Sequence, residues 1–371
     1  MKLAIDLLWV RPKQVGGIES YIRNLLDGLL LLPNQEIEYW LIVSTDNEKT
    51  FLKYEKKDRC NIHVCKIKSK NVFKRIIWQN MYLGREIKKL GINICFEPYY
   101  CKPFLGTKNI KFITTIHDLQ ALHYPEYFSK FKVEWMKMSW RNALKTSKKI
   151  ITISKYVKKD IEENFPKYGN KVEVIYNPIL VDKDEIYDFE IIGKKYGIKK
   201  GEFYFTVSSL LPHKNVKTII EVIDKIKAKN ISLPRKLVIS GVGGKSKSEL
   251  ENLIERLNLQ DDIILTPFIS NSERNALYKY SKAFLFPSLF EGFGMPPVEA
   301  MVLGTTVITT MSTSLKEVTF GKANYVKNPL DINEWIECML HAKKMKYEFR
   351  EFDKEIIAKK YYDTFKSVER M

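Results

Sequence analysis

No run of about eighteen apolar residues occurs anywhere in the 371 residues, which argues against a membrane-spanning helix. The opening segment, MKLAIDLLWV, lacks the long apolar core and small-residue cleavage site of a secretory leader, and reads as a buried first strand. Only five cysteines are present (Cys60, Cys65, Cys95, Cys101 and Cys338), odd in number and scattered. That pattern argues against a disulfide framework and for a reduced, cytoplasmic setting. Cys60 and Cys65 have no paired Cys or His set at zinc spacing nearby, so no metal site is expected. Internal repeats and low-complexity segments are also missing.

Positive charge, by contrast, is abundant: 62 Lys and Arg against 44 Asp and Glu give a formal net charge of +18. Nucleic acid, an anionic membrane surface or a phosphorylated substrate would each account for it, and a merely solvated basic face is the plain alternative. The basic residues concentrate in 66–75, 129–149 and 154–160. The expectation kept from this is a solvated face or peripheral contact with the inner face of the cell membrane, and no nucleic-acid partner. The stretch 71–91 mixes Trp, Phe, Tyr and Ile with Lys and Arg, which suits an amphipathic helix on an anionic surface or a core helix with one wet face.

Short β-branched runs alternate with amphipathic stretches. KLAIDLLW, EYWLIVS, INICFEP, IKFITTIH, KIITIS and VEVIY read as strands of one series, and FYFTVS, KLVISG, DIILTP, AFLFPS and TTVITT as strands of a second. Strands alternating with helices imply parallel sheets covered on both faces. The predicted fold is therefore α/β, two Rossmann-like parallel-sheet domains facing across a cleft. Their predicted spans are 1–180 and 181–352, joined at the polar stretch VDKDEIYDFE, with a last helix at about 353–371 packing back. In such sheets ligands bind outside the carboxyl ends of the strands, which directs attention to residues just after each run.

The strongest of these places is AFLFPSLFEGFGMPPVEAMVLGTTVI, residues 283–308. A strand ends at Pro287, a loop carries Glu291-Gly292-Phe293-Gly294, and a helix begins near Pro296-Pro297, where proline's missing N–H has no intrahelical partner. The glycines permit close approach of a ligand to the backbone, and the helix N-terminus favours a phosphate. Glu299, placed in the first turn or so, suits a ribose diol, and Glu291 a sugar hydroxyl. A capped helix with an acidic first turn is the plainer reading of the same residues.

This segment resembles the E-x7-E signature of the group 1 glycosyltransferases, family four among the retaining enzymes of GT-B fold. The flanking FPS, EAM and GTTVI match as well. The resemblance implies that Glu299 binds the donor ribose, that Glu291 lies by the transferred sugar, and that Gly292, Phe293 and Gly294 present N–H groups to sugar and phosphate. It extends to Gly16-Gly17, expected to cradle the donor pyrophosphate, and to His117, expected beside the transferred sugar; Asp118 is expected to be structural. In SSLLPHKNVKTII (208–220), Lys214 is expected to neutralise the leaving pyrophosphate. Ser208-Ser209 and His213 stand where the family often carries arginine, so Ser209 would donate a hydrogen bond instead, a weaker contact than a charge-assisted one. Phe268 and Ile269 are expected at the nucleobase.

The implied activity is metal-independent, retaining transfer of a hexosyl sugar from a nucleotide-diphosphate sugar, a co-substrate with no further cofactor. The acceptor would be a glycan or a polyprenyl-diphosphate-linked chain, as in capsule or O-antigen assembly. Catalytic roles fall on His117, Lys214 and Glu291. A sugar-nucleotide epimerase of similar fold and a non-catalytic basic-surface binding protein are the rival readings. Asp182-Lys183-Asp184 imitates a D-x-D metal site but sits in the polar linker, and GVGGKS (241–246) reads as a tight turn between strand and helix.

Overall fold

A computed structural model describes all residues except 12–15, 34–35, 244–245, 346 and 348–349. The chain divides into two compact units, one formed by Met1–Ile179 with Arg350–Met371, the other by Leu180–Phe349. No described helix is long and apolar enough to cross a membrane.

The first unit holds β1 (Lys2–Asp6), β2 (Glu38–Ser44), β3 (Cys60–Cys65), β4 (Ile94–Glu97), β5 (Lys111–Ile116), β6 (Lys149–Thr152) and β7 (Val172–Val174). They form one parallel sheet in the order β3-β2-β1-β4-β5-β6-β7. The central strands are near-continuous apolar runs because helices cover both sheet faces and leave no wet side for polar residues. All four residues of β4 are buried. Strand β3, CNIHVC, was not among the predicted strands: it lies at the sheet edge, where Asn61 and His63 stay half-exposed and interrupt the apolar pattern.

Helix Lys354–Glu369 returns to this unit and packs on helix Gly17–Leu29. Ile357, Ala358, Tyr361, Phe365 and Val368 share one helical face and are fully buried. Each large side chain among them contributes about 1.5–3 kcal/mol by leaving water. The Tyr361 and Tyr21 hydroxyls meet at 2.7 Å. The approach is close enough that a Cβ on Gly28 would lie 2.5 Å from the Lys354 carbonyl oxygen, so glycine is required there. The helix expected over about 72–90 forms, with Val72–Trp78 and Gly84–Lys89 running on through a π-helical turn at Gln79–Leu83. A Cβ on Gly84 would collide with the Gly106 carbonyl, which fixes that turn against the neighbouring loop.

The second unit holds β8 (Phe203–Val207), β9 (Lys236–Ser240), β10 (Ile263–Thr266), β11 (Ala283–Phe286), β12 (Val307–Thr310) and β13 (Asn324–Val326). They too are all parallel, in the order β10-β9-β8-β11-β12-β13. The three-residue edge strand β13 was likewise not predicted, being too short to carry a pattern. In each sheet the strand order reverses beside the first strand, between β1 and β4 and between β8 and β11. At such a point successive connections leave to opposite faces and open a crevice at the carboxyl ends.

Candidate active site

In the second unit, the loops leaving β8 and β11 flank this reversal. After β8 the chain passes Ser208 and Ser209, makes a single 3-10 turn at Pro212–Lys214, and enters helix Val216–Ala228. Asn215 takes up the left-handed conformation (φ 52°) at that junction, which asparagine tolerates better than most residues. Its amide donates to the Pro329 carbonyl and its Oδ1 accepts from the Thr218 hydroxyl. This anchoring presents Lys214, whose Nζ donates to Glu291 Oε1 at 2.6 Å. The two side chains, on opposite sides of the switch point, are only 20% and 13% exposed.

Glu291 lies on a loop held from both neighbours. Leu289 N–H donates to the His213 carbonyl at 2.7 Å, Glu291 N–H donates to Thr313 Oγ1 at 3.0 Å, and the Thr313 hydroxyl donates back to the Glu291 carbonyl at 2.9 Å. Gly294 closes the loop at φ 91°, and a Cβ there would stand 2.6 Å from Leu315 Cδ2. Gly292, Phe293 and Gly294 are all buried. Helix Met295–Val302 then begins, with Pro296 and Pro297 in its first turn.

Glu299 is the fifth residue of that helix, so it sits in the second turn rather than the first. Its Oε2 accepts from the Tyr278 hydroxyl at 3.3 Å and lies 3.8 Å from Arg274 Nη2. Burial works to lower the Arg274 pKa, but Glu299, Tyr278 and Glu185 together outweigh it and the guanidinium is held more firmly charged. Burial raises the Tyr278 phenol well above its ordinary value, so it donates as a neutral group. Arg274 and Tyr278, four apart on one face of helix Asn271–Tyr280, were missed by sequence reasoning. The segment containing them was singled out, but only their i, i+4 spacing hinted at a shared partner.

The remaining predicted residues are more dispersed. Ser208 is buried, donates its N–H to the Ser240 carbonyl, and keeps an Oγ with no hydrogen-bond partner among the described residues. Ser209 is exposed. Burial, with Lys214 adding to it, lowers the His213 pKa to about 4, so a neutral imidazole stands beside Lys214 and supplies no second cation. Phe268 is 71% exposed on the loop after β10, two strands from β8, while Ile269 packs half-buried against the core.

In the first unit, His117 follows β5 but is buried. Its Nε2 contacts the Pro98 carbonyl at 2.8 Å, and Tyr21 meets it edge-on at 5.0 Å. Burial lowers its pKa to about 4. A neutral ring donating from Nε2 to a carbonyl leaves Nδ1 as the acceptor nitrogen. Asp118 Oδ1 accepts from Gln120 N–H, a local turn contact. Gly16 and Gly17 are exposed at the start of helix Gly17–Leu29, and a Cβ on either would meet nothing within 4 Å among the described residues. Packing against the described residues therefore does not demand glycine there.

At this unit's switch point stand two acids that sequence reasoning did not single out. Asp6 Oδ1 accepts from Leu8 N–H, and its Oδ2 accepts from the Gln79 amide at 2.6 Å. Burial raises Glu97 well above the usual carboxylate range, with Asp6 adding to the effect. No group of three or more His, Cys, Asp or Glu among the described residues is arranged to hold a metal ion. Asp182 uses its carboxylate locally, accepting from Asp184 and Glu185 N–H. Of the predicted turn at 241–246, Gly244 and Lys245 lie outside the described residues.

Comparison with known proteins agrees with this architecture. The model of Glycosyltransferase Family 4 matches residues 15–183 and that of Glycosyl transferases group 1 matches residues 188–355. The chain is 28% identical over 254 residues to the O-antigen chain mannosyltransferase RfbU of Salmonella typhimurium, covering 68% of this chain and 67% of that protein. It is 26% identical over 225 residues to O-antigen chain mannosyltransferase B of Escherichia coli, covering 60% of this chain and 58% of the relative. The structure of Anabaena HepE in complex with UDP and glucose superposes with a TM-score of 0.68 at 15% identity, over all of this chain and 97% of that one. The two family matches run side by side over nearly the whole chain, one on each parallel-sheet unit: the protein is a glycosyltransferase of GT-B fold, belonging to the glycosyl transferases group 1, Glycosyltransferase Family 4.

Proposed function

We propose that the chain transfers a hexosyl sugar from a nucleoside-diphosphate donor to a glycan or polyprenyl-diphosphate-linked acceptor, with retention of anomeric configuration and without a metal ion. The observation that carries this reading is the Lys214–Glu291 pair at 2.6 Å, which joins the two loops at the switch point of the second unit. The pair holds a cation and an acceptor side by side, ready to part onto a diphosphate and a sugar hydroxyl.

In this reaction the C1–O bond to the diphosphate breaks through an oxocarbenium-like state, the charge class of glycoside cleavage. Lys214 and the N–H groups of the 292–294 loop stabilise the charge that collects on the leaving diphosphate. The acceptor oxygen bonds to C1 on the face the diphosphate leaves, and its proton passes to a departing phosphate oxygen. Glu299, fixed by Tyr278 and Arg274, holds the ribose diol. Neutral His117 accepts a hydrogen bond from a sugar hydroxyl through Nδ1. The O-antigen mannosyltransferase relatives favour a mannosyl donor and an acceptor in surface polysaccharide assembly, and HepE's UDP and glucose favour a nucleotide sugar.

The test is product formation from nucleotide sugars and lipid-linked or free glycan acceptors, with the new anomeric centre assigned by NMR and the assay repeated in excess EDTA. Transfer with retained configuration and an unchanged rate in EDTA is expected. An inverted product, or a rate abolished by EDTA, would sink the mechanism.

A further inference from the structure

The Gly16-Gly17 turn and His117 lie on different elements of the first unit, and the side chain of Tyr21 joins them. Tyr21 is the fifth residue of helix Gly17–Leu29, one turn beyond Gly17 on the same side of the helix. The neighbouring Ser20 N–H donates to the Gly16 carbonyl at 3.0 Å, so the glycine turn and the start of this helix are one hydrogen-bonded piece. That turn, with Asn80 and Met81 of the π-helical segment, lines an apolar recess of about 1170 Å³. On its other side the Tyr21 ring meets the His117 imidazole edge-on, with centroids 5.0 Å apart and planes at 81°. Its hydroxyl meets Oγ1 of Thr115, in β5 two residues before His117, at 3.2 Å.

Tyr21 is held from the far end of the chain. Tyr361, on the returning helix Lys354–Glu369, brings its hydroxyl to 2.7 Å from that of Tyr21. Phe96, at 5.5 Å, and Phe365, at 5.9 Å, pack against the Tyr361 ring and fix it in turn. Tyr21, Tyr361 and Thr115 are fully buried, so a hydroxyl that loses its partner there has no bulk water to turn to. His117 is tied by its Nε2 to the Pro98 carbonyl at 2.8 Å. One hydrogen bond at the tip of an imidazole still lets the ring swing about the axis through that tip. The perpendicular Tyr21 ring, in the geometry that aromatic pairs favour, takes that freedom away.

We propose that Tyr21 is a positioning residue for sugar transfer, fixing the plane of the His117 ring relative to the Gly16-Gly17 turn, with Tyr361 of the C-terminal helix holding Tyr21 in place. The last helix thereby serves the chemistry as well as the core. Burial alone does not demand such a chain of hydroxyls: the Tyr39 hydroxyl, in the same core, has no hydrogen-bond partner among the described residues. The inference rests on the glycosyl-transfer reading for the part that His117 plays.

The experiment compares the full chain with Tyr21→Phe, Tyr361→Phe, the double variant and Tyr39→Phe, which keep every ring and remove hydroxyls. Transfer assays give kcat and donor KM, and calorimetry gives Tm. Proton–nitrogen NMR spectra of the five histidine rings, with His117 assigned through His117→Gln, give its tautomer and order. Wild-type His117 is expected to show one tautomer, protonated at Nε2. Tyr21→Phe should lower kcat about tenfold with donor KM within about twofold, the mark of a misplaced group rather than a lost binding contact. It should also broaden or split the His117 signals, and Tyr361→Phe should do the same more weakly. In the double variant neither phenol of the pair is left unpaired, so Tm should recover relative to Tyr21→Phe while kcat stays low. Turnover that recovers along with Tm would show a structural role alone and overturn the proposal. Tyr39→Phe should leave kcat and the His117 signals as in the wild type, and a loss equal to that of Tyr21→Phe would count as an overturning result too. Unchanged kcat and His117 signals in Tyr21→Phe, with transfer intact in the wild type, would remove the positioning role and leave glycosyl transfer standing. If the wild type turns over no nucleotide sugar, the transfer reading falls, and the His117 spectrum alone decides: disturbed in Tyr21→Phe it upholds the positioning of the ring, and unchanged it overturns it.

Discussion

Replacing Lys214 with methionine keeps the length of the side chain and removes its charge, so it isolates what that charge does. In the resting protein Nζ is 2.6 Å from Glu291 Oε1, with the two side chains 20% and 13% exposed. The pair is thus neither a surface ion pair, worth under about 1 kcal/mol, nor a wholly buried one, whose breaking costs about 3–5 kcal/mol. Between those limits, Lys214→Met should destabilise the second unit by about 1–2 kcal/mol, and each kcal/mol lowers Tm by about 2–4 °C for a unit of this size. The catalytic loss should be larger. Removing one preorganised contact to a developing anion costs about 2.7–4 kcal/mol, or roughly 10²–10³ in kcat. Because the charge on the diphosphate grows as the bond breaks, kcat should fall much more than the donor KM rises. Single-turnover transfer assays read the rate, and calorimetry reads the stability. The double variant Lys214→Met/Glu291→Gln should recover stability, since no unpaired carboxylate remains, and should not recover rate. A Lys214→Met enzyme within about threefold of wild-type kcat, or a double variant with restored turnover, would refute the reasoning.

Two further substitutions probe the same unit. Gly294→Ala puts a Cβ at φ 91° and 2.6 Å from Leu315 Cδ2; backbone strain plus repacking of that leucine should cost about 2–3 kcal/mol, seen as a lower Tm and weaker donor binding. His213, whose pKa falls to about 4 on burial, binds fewer protons folded than unfolded between that value and its ordinary 6.5. The stability it confers is therefore complete above about pH 6.5 and is lost as pH drops toward 4, about 2 kcal/mol between pH 7 and pH 5. His213→Gln should flatten that part of the stability profile of the second unit, and a profile as steep as the wild type's would contradict the assignment.

The parts legible in the sequence are those where one physical requirement dominates. Central strands such as ICFE and AFLF are buried on both faces, so their apolar runs announce themselves. The glycines and prolines of 292–297 mark a loop and a helix start because the backbone there admits little else. Edge strands β3 and β13 escaped because one side is wet or the strand is too short. The pairing of Lys214 with Glu291 and of Glu299 with Arg274 and Tyr278 joins residues up to 77 apart in the chain, which no local pattern records. Asp6 and Glu97 read as strand residues, and only the strand order of the sheet brings them to the switch point. The π-helical turn at Gln79–Leu83, next to the close approach of Gly84 to the Gly106 carbonyl, and the apolar recess beside it could not be anticipated from periodicity.

Glycosyl transfer by this chain requires a nucleotide-sugar donor held by Glu299 in the second unit. Its most direct test is a thermal-shift screen of nucleotide sugars on the wild type and on Glu299→Ala. At a donor concentration of about 100 Kd the wild type should gain about 2.7 kcal/mol, and the variant should lose most of that gain with the same donor. No stabilisation of the wild type by any nucleotide sugar, or an equal shift in Glu299→Ala, would contradict it.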